Sequence, residues 1–208
     1  MPEKLSRRRW RAICPSSAAP KIVDEQYAAL AAKYTEPHRH YHTAAHIAAC
    51  LRHFDTVRNY LSDPLAVERA IWFHDAVYDT HRIDNESASA EFAAAALASL
   101  GVPPDGIAAV RRLILVTAHP SVPQTTDEQF MVDIDLAILG SSPAEFAAYE
   151  RQIRQEYKWV PQIIFRRKRK KLLQSFLQQP SIYHTDYFRE KFESAARENL
   201  SRAVGRGG

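Results

Sequence analysis

The scarcity of glycine is the feature that most restricts what this chain can fold into. The 208 residues contain six glycines, and two of them end the chain. An all-β protein needs many tight turns, and glycine most readily supplies the backbone conformations of such turns. We therefore expect an all-α protein.

Helix-capping signals support this expectation. Asp63 places a side-chain acceptor before Pro64, which suits the first position of a helix, and we expect that helix to run through Thr80. The segment 142–145 reads Ser-Pro-Ala-Glu, a capping box, and Gly140 suits the end of the preceding helix. The predicted helices span residues 22–34, 43–60, 64–80, 86–100, 105–118, 127–139, 143–158, 162–178 and 186–203.

Length and composition predict one globular domain. Hydrophobic residues make up 46% of the chain and charged residues 25%, as in ordinary globular proteins and unlike disordered or fibrous chains. The sequence contains no internal repeat and no Ser/Gly-rich linker. We therefore expect a single domain over residues 1–208, with its core at about 22–140 and the C-terminal helices of 143–203 packed on it.

The cysteine content and the apolar segments predict a cytoplasmic protein. Cys14 and Cys50 are too few for a disulfide framework or a cysteine-rich zinc site. No apolar core of a signal peptide follows the N-terminal arginines, and no apolar stretch approaches the ~20 residues that cross a bilayer. We expect no membrane partner.

A run of six basic residues occupies positions 166–171, although the net charge of the chain is only +4. On a helix this run covers more than one turn, so its charges spread around the axis. A solvated face is the interpretation we favour. Because Trp159, Phe165 and Phe176 lie nearby, binding of a nucleic-acid backbone is the alternative.

Three segments carry residues suited to metal chemistry. Four histidines fall within residues 38–46, and on a helix His42 and His46 share a face, which is the spacing that offers two imidazoles to one metal or phosphate. His74 and Asp75 lie in an apolar segment, where a buried carboxylate needs a cation or several donors.

The third segment, residues 130–139, places two aspartates in another apolar helix. Asp133 and Asp135 are two residues apart, so their side chains diverge by about 200° on a helix. One can face a site while the other points elsewhere, and the spacing does not choose between them.

The order His, His-Asp, Asp on separate predicted helices resembles the HD superfamily of metal-dependent phosphohydrolases. Residues 39–46, 73–79, 84–86 and 133–136 resemble a branch described only as predicted metal-dependent HD phosphohydrolases. The similarity runs from about Tyr27 to Leu200. It implies an HD-domain-like helical bundle that holds a divalent cation with one histidine, an adjacent His-Asp pair and a distal aspartate.

Carried over by position, the resemblance implies a set of metal ligands: His42, His74, Asp75, and either Asp133 or Asp135. His46 is the alternative first ligand; we prefer His42 and assign His46, one turn later, a catalytic role.

The resemblance also suggests residues that act on the substrate and on water. Candidates to accept the proton of a metal-bound water are Asp79, Glu86 and the non-ligating aspartate of the 133/135 pair. Arg39 and His119 are candidate substrate-binding residues. For His119, the alternative is a histidine that is favoured at a helix C-terminus by the helix dipole.

The predicted ligands form a mixed nitrogen and oxygen site that accepts Mn, Fe, Co, Ni, Zn or Mg. Such a metal lowers the pKa of bound water and neutralises charge that develops on phosphorus. The resemblance therefore implies a divalent-metal-dependent phosphohydrolase acting on a phosphate ester or anhydride, with a small phosphorylated substrate such as a nucleotide. The alternative is a non-enzymatic metal-binding HD-like module that binds nucleic acid or a protein partner.

Overall fold

The computed structural model describes residues 5–118 and 121–205, and within these ranges the protein is all-helical, without a strand. The predicted all-α class is confirmed. The helices of the described ranges are α1 (Arg7–Ile13), α2 (Pro20–Lys33), α3 (Ala44–Val57), α4 (Pro64–Phe73), α5 (Asn85–Ser99), α6 (Pro104–Leu115), α7 (Thr126–Leu136), α8 (Pro143–Glu156), α9 (Gln162–Leu177) and α10 (Asp186–Gly205), with short 3-10 helices at Arg58–Tyr60 and Ala137–Gly140.

The chain divides into two compact units, Met1–Met131 and Val132–Gly208. The first unit contains α1 to α6 and the first turns of α7. The second contains the end of α7 together with α8, α9 and α10. Among the helices in the described residues, none combines the length and the apolar character needed to cross a membrane.

Helix α4 lies at the centre of the first unit. The Asp63 side chain accepts a hydrogen bond from the Ala66 backbone N–H, and Pro64 occupies the first turn, as the sequence predicts. Every residue in 66–73 is buried, and α4 packs against α1, α3, α5 and α6. The core of this unit therefore forms around the helix that leads directly to His74.

Helix α1 was not among the predicted helices. Ser6 caps it by accepting from the Arg9 backbone N–H, and its buried Trp10 meets Trp72 of α4 edge-on, with ring centroids 5.5 Å apart. Arg9 also donates to the buried Glu68 carboxylate at 2.6 Å. A short helix that the sequence signals did not predict therefore covers one side of α4.

Helix α4 ends at Phe73, seven residues earlier than predicted. The His74 backbone N–H still donates to the Ala70 carbonyl at 2.8 Å, but the Ala76 N–H donates to Phe73 in a tighter turn. His74 and Asp75 therefore lie on a turn at the end of the helix rather than within it.

Two side chains of α5 hold the segment that follows this turn. The Ser89 hydroxyl accepts from the Val77 N–H at 3.0 Å and donates to the Val77 carbonyl at 3.1 Å. The Asn85 amide pairs in the same way with the N–H and carbonyl of Asp79, both at 3.0 Å. Side chains thus satisfy backbone groups that a longer helix would pair internally, which explains the early end of α4.

The second unit packs α10 on α9 and on the 3-10 helix Ala137–Gly140. A Cβ atom at Gly140 would lie 2.6 Å from the Cβ of Phe192, so this close approach requires glycine. Ser142 and Glu145 form the predicted capping box at the start of α8. These local signals are confirmed.

Candidate metal centre

Three donor atoms converge in the first unit. His46 Nε2 and His74 Nε2 lie 3.2 Å apart. Asp75 Oδ2 lies 3.2 Å from His74 Nε2 and 3.3 Å from His46 Nε2. His46 comes from the first turn of α3, whereas the other two come from the turn after α4. Packing of α3 against α4 therefore brings an imidazole onto the His-Asp pair.

This spacing fits donors to a single metal ion. Two atoms about 2.1 Å from one ion are separated by about 3.0 Å at an octahedral angle and about 3.4 Å at a tetrahedral angle. The observed separations of 3.2 and 3.3 Å fall between these limits. Asp75 Oδ2 is buried and has no hydrogen-bond partner, and a buried carboxylate oxygen in that state is costly without a cation.

The protonation of the cluster also suits a metal. His74 Nδ1 lies 3.0 Å from the Ile71 carbonyl oxygen, which can only accept, so Nδ1 carries the proton and Nε2 presents its lone pair in the neutral ring. Burial alone would raise the pKa of Asp75, but the positive charge of the His74 and His42 rings in their protonated form holds that pKa well below its ordinary value. The carboxylate is therefore ionised at neutral pH.

Cys50 adds a thiol that is not among the sequence-predicted site residues. It is buried one turn after His46, and its Sγ lies 3.7 Å from both ring nitrogens of that histidine. His46, Cys50 and His74 offer ligand atoms that all lie within 4.8 Å of one another. The spacing of four residues between His46 and Cys50 on one helix is the signal that could have indicated it.

His42 lies beside this cluster, in the loop before α3. It is partly exposed, and its ring stacks on Tyr78 with centroids 3.9 Å apart. The ring centroid of His42 is 5.9 Å from that of His46. Of the two histidines that the sequence leaves open as first ligand, His46 places its Nε2 against the His-Asp pair, and a ligand role for His42 stays a prediction.

Arg39, a predicted substrate-binding residue, has a fully buried side chain. Its guanidinium donates to the main-chain carbonyls of Asp75 at 2.7 Å, Ala76 at 3.0 Å and His42 at 3.1 Å. It also donates to the Glu36 carboxylate at 3.0 Å. The structure therefore gives Arg39 a positioning role, and its contact with substrate stays a prediction.

The predicted proton acceptors lie in the loop after Tyr78 and at the start of α5. Asp79 Oδ1 is 2.9 Å from both the backbone nitrogen and the ring Nδ1 of His81, and these hydrogen bonds lower the pKa of Asp79 below its ordinary value. Glu86 occupies the first turn of α5, where a carboxylate is favoured by the helix dipole. Their catalytic roles stay predictions, and His119 lies outside the described residues.

In the second unit, Asp133 is fully buried and both of its oxygens are engaged. Oδ1 accepts from the His184 N–H at 2.8 Å, and Oδ2 accepts from the N–H and hydroxyl of Thr185 at 2.8 and 2.7 Å. Burial raises the pKa of Asp133, and these hydrogen bonds oppose that rise. Asp133 thus ties α7 to the start of α10, while Asp135, on α7 and partly exposed, stays a predicted ligand.

Comparison with protein-family models, with curated proteins and with solved structures gave no match to this chain. What the site can do therefore follows from its donor atoms. The buried His46, Cys50 and His74 side chains and the Asp75 carboxylate can hold a metal ion, and this donor set is compatible with several divalent metals.

Proposed function

We propose that this chain is a divalent-metal-dependent phosphohydrolase of the HD type, acting on a phosphate ester or anhydride. The observation that carries the proposal is the buried Asp75 Oδ2, which has no hydrogen-bond partner and lies within 3.3 Å of two imidazole nitrogens. The reaction class comes from the resemblance of the His, His-Asp, Asp order to HD phosphohydrolases.

In this proposal His46, His74 and Asp75 are metal ligands. Of the two aspartates that the resemblance leaves open as the distal ligand, Asp133 is set aside, because hydrogen bonds within the second unit already engage both of its oxygens. When bound, the metal would lower the pKa of a water molecule and neutralise charge on the phosphoryl oxygens. The ion can be Mn, Fe, Co, Ni, Zn or Mg.

His42 is proposed to act on the substrate rather than on the metal. Its partly exposed ring is held flat against Tyr78, beside the ligand His46, so it is oriented without being buried. An imidazole in such a place can donate a hydrogen bond or a proton to the leaving oxygen of a phosphate ester. The substrate class that fits is a small phosphorylated molecule, with a nucleotide as the first candidate to test.

Glu86 is the proton acceptor that we favour over Asp79. The two contacts of His81 with the Asp79 carboxylate stabilise its ionised form and make it a weaker base. Glu86 is partly exposed on the helix whose Ser89 and Asn85 hold the backbone after the His-Asp turn.

The test is hydrolysis of a panel of nucleotides and simple phosphate esters with Mn, Co, Ni or Mg supplied. The wild-type chain should release phosphate or a nucleoside product from at least one of them. Asp75→Asn, which keeps the shape of the side chain and removes its charge, should abolish that release. Equal rates in the two proteins would identify a contaminating phosphatase, and bound metal without hydrolysis of any substrate would favour a non-enzymatic metal-binding module.

A further inference from the structure

The start of α9 exposes apolar side chains beside a dense group of cations. Trp159, Ile163 and Ile164 are 50%, 84% and 41% exposed, and we call these three residues the apolar tip. Single exposed apolar residues are common on protein surfaces. Three within six positions, next to a basic run, indicate a surface that contacts something other than water.

The cations follow directly along the helix. Arg169 is neutralised by Glu150, whose Oε1 lies 3.1 Å from its Nε, and it also donates to the Tyr149 hydroxyl. The other five side chains of the run are exposed or partly exposed, and α9 contains no acidic residue. We call these five the basic belt: Arg166, Arg167, Lys168, Lys170 and Lys171.

The tip and the belt are separated along the helix axis rather than around it. With a rise of about 1.5 Å per residue, the belt begins about 3 Å and ends about 10 Å beyond Ile164. An anionic bilayer surface has the same order, with apolar chains below a layer of phosphates. Trp is also a residue that favours the interface between these layers.

We propose that this end of α9 docks on the surface of an anionic phospholipid bilayer. The apolar tip enters the interface and the basic belt binds the headgroup phosphates. A nucleic-acid backbone would complement the belt alone, because exposed isoleucines gain nothing on sugar and phosphate. Docking at the surface requires no membrane-spanning helix, and it is independent of the proposed hydrolase activity.

The experiment is co-sedimentation with phosphatidylcholine vesicles, with and without phosphatidylserine, at low and high salt. The full chain should bind only the anionic vesicles and should be released by salt. Trp fluorescence gives a second signal: Trp10 and Trp72 are 1% and 0% exposed, so a blue shift on binding reports on Trp159.

Two variants separate the contributions of the basic belt and the apolar tip to vesicle binding. Replacing Arg167, Lys168 and Lys171 by Gln should weaken binding about 100-fold, at about 1 kcal/mol per cation. Ile163→Ser should weaken it about tenfold, whereas the control Ile83→Ser, at a fully exposed residue of the first unit, should have no effect. All these residues are on the surface, so thermal melting should confirm that each variant is folded.

Three results would overturn the proposal. The folded wild-type chain could fail to sediment with anionic vesicles, or the triple variant could bind them as well as the wild type does. In the third, an oligonucleotide would bind with strong salt dependence and quench the fluorescence of Trp159 by stacking on it, while vesicles would leave that fluorescence unchanged. This surface would then be a nucleic-acid-binding surface.

Discussion

The Arg39 guanidinium donates to the Asp75 main-chain carbonyl at 2.7 Å, so a buried cation holds the backbone that carries the candidate ligand. The same side chain binds the carbonyl of His42 at 3.1 Å. One residue therefore fixes the relative positions of the loop before α3 and the turn after α4. Its hydrogen bonds within the described residues go to main-chain carbonyls and to the Glu36 carboxylate.

Replacing Arg39 should cost much of the stability of the first unit. Arg39→Ala leaves three main-chain carbonyls without this donor and removes one of the cations that contact Glu36, and we expect the free energy of unfolding to fall by about 3–5 kcal/mol. Arg39→Lys keeps the charge but loses the several donors of the guanidinium group. Its free energy of unfolding should therefore lie between those of the wild type and Arg39→Ala. Urea denaturation measures both, with exposed Arg8→Ala as the matched control; equal stability of Arg39→Ala and the control would contradict the positioning role.

The two histidines of residues 42–46 should differ in metal retention. We expect His46→Ala and His74→Ala to purify without metal, because each removes one of three converging donors. His42→Ala should keep about one metal ion per chain and lose hydrolysis. Emission spectroscopy of the purified proteins measures the metal content per chain. If His46→Ala retained metal and His42→Ala lacked it, His42 and not His46 would be the first ligand.

Substitutions of Asp133 and Asp135 on α7 should have different effects, one on stability and the other on metal binding. Asp133→Ala removes the acceptor of three hydrogen bonds in the second unit, and we expect a loss of about 3 kcal/mol in unfolding free energy with metal retained. The resemblance to HD phosphohydrolases implies that Asp135→Ala should lower metal affinity, with little loss of stability. Isothermal titration with Mn²⁺ and thermal melting distinguish the pair, and the reverse pattern would assign the distal ligand to Asp133.

Cobalt substitution should show whether Cys50 enters the coordination sphere. A nitrogen and a sulfur bound to one ion at a tetrahedral angle are separated by about 3.6 Å, and Cys50 Sγ is 3.7 Å from His46 Nε2. We therefore expect the Co²⁺ protein to absorb in the near ultraviolet through sulfur-to-metal charge transfer. Cys50→Ser should lose that band and bind Zn²⁺ about tenfold more weakly; an unchanged spectrum would exclude the thiol.

Removal of the metal should lower thermal stability. An ion present at 1,000 times its Kd stabilises the folded state by about 4 kcal/mol, because it binds that state alone. Chelation should therefore reduce the Tm by roughly 10 °C, and added Mn²⁺ or Zn²⁺ should restore it. A Tm that is indifferent to chelator and metal would speak against a metal at the Asp75 cluster.

The local signals of the sequence predicted the helices well. Asp63-Pro64 and the capping box at Ser142 lie where expected, because a cap depends on residues three positions apart. The predicted end of α4 was wrong, because the observed end depends on hydrogen bonds from Ser89 and Asn85, which are distant in sequence. For α1, the buried Trp10 and Ile13, three residues apart after the cap Ser6, were a usable signal that the basic residues around them obscured.

The candidate site was predictable in part. His74 and Asp75 were expected at a metal, and the structure places their donor atoms together with that of His46. The burial of Arg39 was not predictable, since an arginine beside a histidine cluster resembles a phosphate ligand until its carbonyl partners are seen. The hydrogen bonds of Asp133 likewise depend on His184 and Thr185, which lie 51 and 52 residues further along the chain.

The turn that carries His74 and Asp75 has a consequence for synthesis of the chain. An isolated α4 cannot present these ligands, because Arg39 precedes the turn, and Ser89, which holds its far side, follows it on α5. A nascent chain must therefore leave the ribosome beyond residue 89 before this turn can close. Until then His74 and Asp75 belong to an unfolded segment, and capture of the proposed metal would follow long-range folding instead of guiding it.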